Sequence, residues 1–462
     1  MTYRGIVSYG TYLPRHRVQR AEIAGTLGAG GGRGLRVAAS FDEDSTTMGV
    51  EAARRALRDT SAGQADALYF ATTSPAYADK TNATAIHAAL GLPREGFAAD
   101  LAGSARSGMA ALRAAALGGG LAVLADVRTG LPGSADERDG GDGAAAFLFG
   151  DPAHAVAEIL AESSVTAEFL DRWRTPGART GAQWEERFGL DVYLPLVEEA
   201  GRRALKDAGL DGADHVVVTS PNSAVRKRAG RLFPAGLASG GSPVGHAGAA
   251  DAGLGLADAL DRAAPGQTVL LLSAADGCDA VVLRATERIT CARQAEPLAA
   301  QSAGGRDVPY ATYLTWRGLL DREPPRRPEP ERPAAPPAAR AERWKYGFTG
   351  SRCTRCGFVH LPPARVCREC GAVDEKADRP MTGILGTVAT YTVDRLAFSP
   401  SPPLVEAVVD FDGGGRYTLE VADAAPDELA VGSRVELVFR RLHTADGVHN
   451  YFWKARLTAG RP

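Results

Sequence analysis

No stretch of the chain approaches the roughly 18 consecutive apolar residues that a membrane-spanning helix needs. The longest candidate, TVLLLSAA at 268–275, has only the length of a strand. No membrane partner is expected. A basic excess is missing too: Lys and Arg total 53 against 55 Asp and Glu, a formal charge of -2. That balance cannot neutralise a phosphate backbone, which argues against nucleic acid as a partner. Cysteine is scarce, and six in 462 residues do not make a disulfide scaffold. The opening residues, MTYRGIVSYG, lack the apolar stretch of a secretory signal, so a cytoplasmic setting is expected.

What is present is the mix of a globular protein, 45% hydrophobic and 23% charged, in a chain long enough for two or three domains. The sharpest break is REPPRRPEPERPAAPPAARAER at 322–343. Repeated proline removes backbone donors and favours extended structure, which marks a linker. The body before it contains a duplication. EAARRALRDT (51–60) and EAGRRALKDA (199–208) are amphipathic helices, each followed by an Ala-Asp pair and a hydrophobic strand, ALYFATTSP (67–75) or HVVVTSP (215–221). Both strands end in Thr-Ser-Pro. Two related α/β halves follow, residues 1–175 and 176–321, each a sheet covered by helices.

After the linker, residues 344–380 hold Cys353, Cys356, Cys367 and Cys370 as two Cys-x-x-Cys knuckles ten residues apart. Four thiolates with this spacing suit a closed tetrahedral structural zinc site. Residues 381–462 show five short alternating segments, at 386–393, 403–411, 416–421, 434–442 and 450–457. That pattern suits a small five-stranded barrel of the OB-fold type.

The tail, with GFTGSRCTRCGFVHLPPARVC and HNYFWKARL, resembles the zinc-ribbon OB-fold proteins associated with acyl-CoA enzymes. The body motifs FDEDSTTMGVEAARRAL (41–57), DGAAAFLFGD (142–151), GQTVLLLSAADGCDAVVL (266–283) and YATYLTWRGLLDREPPRRPEP (310–330) resemble the hydroxymethylglutaryl-CoA synthase group, close to ketoacyl synthase III in the thiolase superfamily. This implies a duplicated five-layer α-β-α-β-α body and a homodimer. It also implies an acyl thioester of CoA or of carrier-protein phosphopantetheine as substrate, and a separate thiolase-like enzyme as a further partner.

The resemblance breaks at the catalytic positions. The family spacing from Asp to nucleophilic Cys to Gly runs here from Asp100 through Ala105 to Gly108. Thr73 stands at the place of the Glu base and Thr219 at that of the His before Pro-Asn. His246 stands where the Gly-Asn loop usually has Asn. Ordinary synthesis through an acetyl-cysteine is therefore not expected. The candidates left are His246 for proton transfer, Ser104 as an alternative nucleophile beside Ala105, and Tyr77, Thr73 and Thr219 as pocket-lining groups. Arg226, Lys227 and Arg228, following Asn222, are candidates to meet CoA phosphates. Ala105 is expected at a helix N-terminus, facing one cavity shared with His246 and Thr219.

Three readings follow. The first is carbon–carbon bond formation or cleavage of aldol type without a cysteine acyl-enzyme. The second is an acyltransferase, and the third a non-catalytic scaffold for a thiolase-type partner. As an enzyme the chain would be a transferase or a lyase.

Overall fold

The computed structural model describes residues 3–28, 32–58, 65–233 and 235–458, the side chains of 235–240 aside. These divide into two compact units. The first holds nearly all of residues 1–313. The second holds 314–462 together with Phe41–Glu43 and Ala88–Gly91.

In the first unit, ten strands are β1 (Gly5–Tyr12), β2 (Ala67–Thr72), β3 (Phe97–Ala102), β4 (Gly120–Asp126), β5 (Gly143–Gly150), β6 (Ala157–Thr166), β7 (Ala213–Thr219), β8 (Ala235–Gly240), β9 (Thr268–Ser273) and β10 (Gly277–Ala285). Their order is β8-β7-β9-β10-β6-β1-β5-β4-β2-β3. The middle link, β1 to β6, rests on one residue pair, Ile6 with Ala157. The array is thus two five-stranded halves joined at a seam. Each half has the same signs: β2 is parallel to β3 and β4, and β7 is parallel to β8 and β9. β4 then runs antiparallel to β5, as β9 does to β10. The second half-sheet includes β6, so it begins well before residue 176.

Five helices position the site: α1 (Ser45–Ala56), α2 (Ser107–Gly118), α3 (Glu186–Asp207), α4 (Ser223–Arg228) and α5 (Asp251–Arg262). α1 starts at Asp44, whose carboxylate accepts from Thr47 N–H at 2.9 Å in a capping box. It covers β1, β4 and β5, while α3 covers β6 and β10. α5 touches β7 and β9 of one half and β5 of the other, and α2 packs on β2 and β4 and against α5. The layers are therefore α1, sheet, α2 with α5, sheet, α3, the five-layer order expected. The helix-then-strand repeats occupy equivalent places, α1 before β2 and α3 before β7.

Ala-rich strands make this stacking close. β5 reads GAAAFLFG and is buried along nearly its whole length. Gly108, in the first turn of α2, sits against the Ala249 carbonyl oxygen, where a methyl group would collide with it. Gly108→Ala is expected to destabilise the body by about 1–3 kcal/mol, the usual cost of overpacking. Denaturant unfolding with a probe in the body checks this, and an unchanged midpoint would contradict it.

In the second unit, β11 (Thr349–Cys353) pairs with β12 (Val359–His360) and β13 (Lys376–Pro380). Then β14 (Gly386–Asp394), β15 (Leu404–Phe411), β16 (Arg416–Ala422), β17 (Arg434–Ala445) and β18 (Val448–Leu457) close a barrel in the order β14-β15-β16-β18-β17. All five expected strands are there. The barrel buries two cations within this unit. Arg440 Nη2 meets Glu43 at 3.0 Å and Asp423 at 2.9 Å, and Lys454 Nζ meets Asp42 at 2.9 Å and Glu420 at 2.7 Å. Buried charges persist only when paired in this way.

Candidate functional site

In a parallel α/β sheet the carboxyl ends of the strands form the usual ligand crevice. Here β2 ends at Thr72, β3 at Ala102, β4 at Asp126 and β7 at Thr219. Asp126 is fully buried and organises this end. Its carboxylate accepts from Thr73 N–H at 3.1 Å, Thr73 Oγ1 at 2.7 Å, Ser74 Oγ at 2.5 Å and Ala249 N–H at 2.8 Å. Gly248, with φ 57°, lies against the same carboxylate and leaves no room for a side chain. Thr73 Oγ1 also accepts from Arg128 Nη1 at 2.9 Å. Thr73 is thus a relay inside an ionic network. It has no acid-base strength of its own.

His246 is buried in the turn before α5. Its N–H donates to Asp139 O at 2.8 Å and its carbonyl accepts from Gly141 N–H at 3.1 Å, so the backbone is fixed on both sides. Nδ1 lies 3.2 Å from Asp251 Oδ2. The carboxylate partner selects the Nδ1–H tautomer and leaves Nε2 as the basic atom. Burial pushes the imidazole below its ordinary value; Asp251 opposes that, and the Arg128 and Arg172 charges add to it. His246 is therefore neutral near pH 7 and competent as a base. It lines a recess of about 20 Å³ with Asp136, Arg172, Glu186 and Ser223 among others. Arg172 pairs with Asp136 and donates to Gln183 Oε1 at 2.8 Å. Burial works against ionisation of Asp136, but Arg172 overrides it and holds the carboxyl below its usual range.

Ala105 is half-buried, two residues ahead of α2. Ser104 is exposed, and its hydroxyl accepts from Arg106 N–H at 3.3 Å, a local turn contact. Arg106 clamps this end of α2 to β10: Nε and Nη2 reach Asp279 at 2.8 and 2.9 Å, and Nη1 reaches Asp276 O at 2.8 Å. A second, larger cavity of about 440 Å³ is lined by Ser104, Arg106 and Ser107. Neither cavity is lined by Ala105 or Thr219.

The other candidates are placed as follows. Thr219 is buried and donates weakly to Leu272 O at 3.4 Å. Tyr77 is half-buried on the loop after β2, its N–H 3.0 Å from Asn82 Oδ1. Asn222 is buried and caps α4, accepting from Ala224 and Val225 N–H and donating to Glu186 O, so its amide is committed to backbone. Lys227 and Arg228 are exposed and Arg226 is half-buried, at the end of that short helix, where cations suit the helix dipole. The sequence reading missed Asp126, Arg128, Arg172 and Asp251. One clue was available for Asp251: an acid five residues past His246, opening a helix.

In the second unit the four cysteine sulfurs lie within 4.8 Å of one another. Cys353–Cys370 is 3.8 Å and Cys356–Cys367 is 3.6 Å. Four sulfurs about 2.3 Å from a central zinc would be spaced at nearly this distance, so the set fits a structural zinc site. Backbone N–H groups of Cys356 and Arg355 favour the Cys353 thiolate and bring its thiol to about 7.

Comparison with known proteins agrees with this architecture. Residues 345–374 match the family described as ChsH2, rubredoxin-like zinc ribbon domain, and residues 378–440 match ChsH2, C-terminal OB-fold domain. A hydroxymethylglutaryl-CoA synthase of Archaeoglobus fulgidus is 31% identical over 338 residues, 68% of this chain and 98% of that protein. Among solved structures, MvaS in complex with 3-hydroxy-3-methylglutaryl coenzyme A has a TM-score of 0.59 at 20% identity, covering 72% of this chain and 95% of that one. The HMG synthase of the curacin biosynthetic pathway, in complex with holo donor-ACP, has a TM-score of 0.57 at 19% identity, covering 68% and 88%. At that identity the two structures speak for the fold alone.

Purified protein is expected to carry about one zinc per chain, which elemental analysis would measure. Cys353→Ser is expected to lower metal content and open residues 344–380 to protease, because structural zinc supplies folding free energy. Metal-free protein with a protease-resistant tail would contradict this. The body alignment, the five-layer fold and the two tail matches lead to one conclusion: the chain belongs to the hydroxymethylglutaryl-CoA synthase family, and it carries a zinc-ribbon and OB-fold extension of the ChsH2 type.

Proposed function

We propose that the chain forms or cleaves a carbon–carbon bond in an acyl thioester of CoA or carrier protein by an aldol or retro-aldol route without a cysteine acyl-enzyme. The observation that carries the reading is the buried His246–Asp251 pair. Its imidazole is neutral at working pH and stands beside the Arg128 and Arg172 charges, at the carboxyl ends of the strands. Ala105, Thr73 and Thr219 supply neither a nucleophile nor a base. Among the described residues Ser104 has no hydrogen bond to His246, which favours this reading over acyl transfer through a serine ester.

In the cleavage direction, Nε2 of His246 removes the proton from a β-hydroxyl group. The alkoxide collapses to a ketone or aldehyde as the Cα–Cβ bond breaks. The electron pair passes to the thioester enolate, and His246 returns the proton to Cα. The reverse sequence is condensation. Fixed guanidinium charge beside the base stabilises enolate or alkoxide in a site that excludes water. Asp251 orients the ring and stabilises the imidazolium that forms transiently.

His246→Gln is expected to lower kcat by about 10²–10⁴-fold, the usual weight of a general base, with the fold intact. Unchanged turnover would remove His246 from the mechanism.

The pH profile gives an independent check. The base acts unprotonated and its value is depressed, so the acid limb of kcat/KM should fall below the ordinary histidine value of 6.5. The linkage runs the same way. The unfolded chain takes up this proton at higher pH than the folded one, so the contribution of neutral His246 to stability is full above 6.5 and is lost as pH falls through the folded value. An acid limb above 6.5 would count against His246 as the base.

A further inference from the structure

The recess at His246 has a volume of about 20 Å³. A single water needs roughly 10–15 Å³, so the space takes about one. A β-hydroxyacyl group reaches His246 only if a wall of the recess moves, and the walls differ in how firmly they are held. On one side His246 N–H donates to Asp139 O at 2.8 Å and Gly141 N–H to His246 O at 3.1 Å. On another, Glu186 and Ser223 belong to α3 and α4, and Glu186 Oε1 accepts from Ser223 Oγ at 2.5 Å and from Ala224 N–H at 3.2 Å. The remaining wall carries Arg172 and Gln183, one from each strand of a short hairpin, Arg172–Trp173 with Ala182–Gln183.

This hairpin has two residue pairs, Trp173 with Ala182 and Arg172 with Gln183. Among the described residues no strand of the ten-stranded sheet joins it. Residues 174–177 at its tip are exposed, and Trp184 at its base, 6.4 Å from the Trp173 ring, is 58% exposed. Two arginine side chains fasten it to the body. Arg172 pairs with Asp136, which also lines the recess, and its Nη2 reaches Pro221 O at 3.4 Å. Arg174 donates to Thr73 O, just past the end of β2. Polar bonds of this kind exchange readily for bonds to water, so this wall yields before the packed helices do. Closed, it brings both guanidinium groups near enough to Arg128 for the three charges to act on one another.

We infer that residues 172–183 form a lid over His246, latched by Arg172 on Asp136 and by Arg174 on the Thr73 carbonyl. Substrate enters with the lid raised. Closure then excludes water and returns the two guanidinium groups to the strand ends, where negative charge develops. The inference rests on the reading of His246 as the base and gives that base a route to its substrate.

Chemical modification tests the lid without turnover. Diethyl pyrocarbonate acylates neutral imidazole, and peptide mass spectrometry reads the rate at each histidine near pH 7. His154, exposed, gives the fast reference. His215, buried at the end of β7 opposite Thr219, reports any general loosening. In the unaltered protein His246 is expected to react about tenfold or more slowly than His154, because the reagent waits for a local opening. Asp136→Ala and Arg174→Ala each remove one latch. Each should raise the His246 rate about fivefold, the weight of one partly exposed polar contact, and leave His215 unchanged. A His246 as reactive as His154 in the unaltered protein, or a protected one whose rate neither variant raises, would overturn the lid. So would an equal rise at His215, because the opening would then be global. Protection that both variants relieve, in a protein whose turnover His246→Gln leaves unchanged, would keep the lid and sink the proposed reaction alone.

Discussion

Everything at the strand ends depends on keeping the Asp126 carboxylate buried and satisfied. An isolated buried carboxylate is costly, and the usual escape is protonation. Here five donors surround it, from Thr72, Thr73, Ser74 and Ala249, and the Arg128 guanidinium stands one hydroxyl away. Those donors come from both halves of the duplicated body, the loop after β2 and the turn before α5. The carboxylate therefore sets how the two half-sheets close on the middle helices. It also dictates local sequence, since Gly248 can have no side chain against it.

The same network bears on the positions that the sequence resemblance reads as altered. A glutamate at position 73 would bring a second carboxylate to Asp126, and like charges at that distance cannot both ionise in a dry site. Threonine removes the conflict and donates instead. In the proposed mechanism the base comes from elsewhere, from His246 with its own carboxylate, Asp251, five residues on in the next helix. Burial first, and then the Arg128 and Arg172 charges, push that histidine below its ordinary value and keep it neutral.

The sequence was most legible where information is local or periodic. The helix-then-strand repeats at 51–75 and 199–221, the five barrel segments and the paired Cys-x-x-Cys knuckles follow from spacing alone, and all stand where they were expected. The position of His246 was legible through its Gly-containing loop, but its role was only half visible. The Asp126 network was hidden, because its donors lie 52, 53 and 54 residues before it and 123 after it, and no period links them. The close approach of the middle layer was hidden for the same reason: a glycine in α2 meets a carbonyl oxygen 141 positions away, a contact that only the folded chain creates.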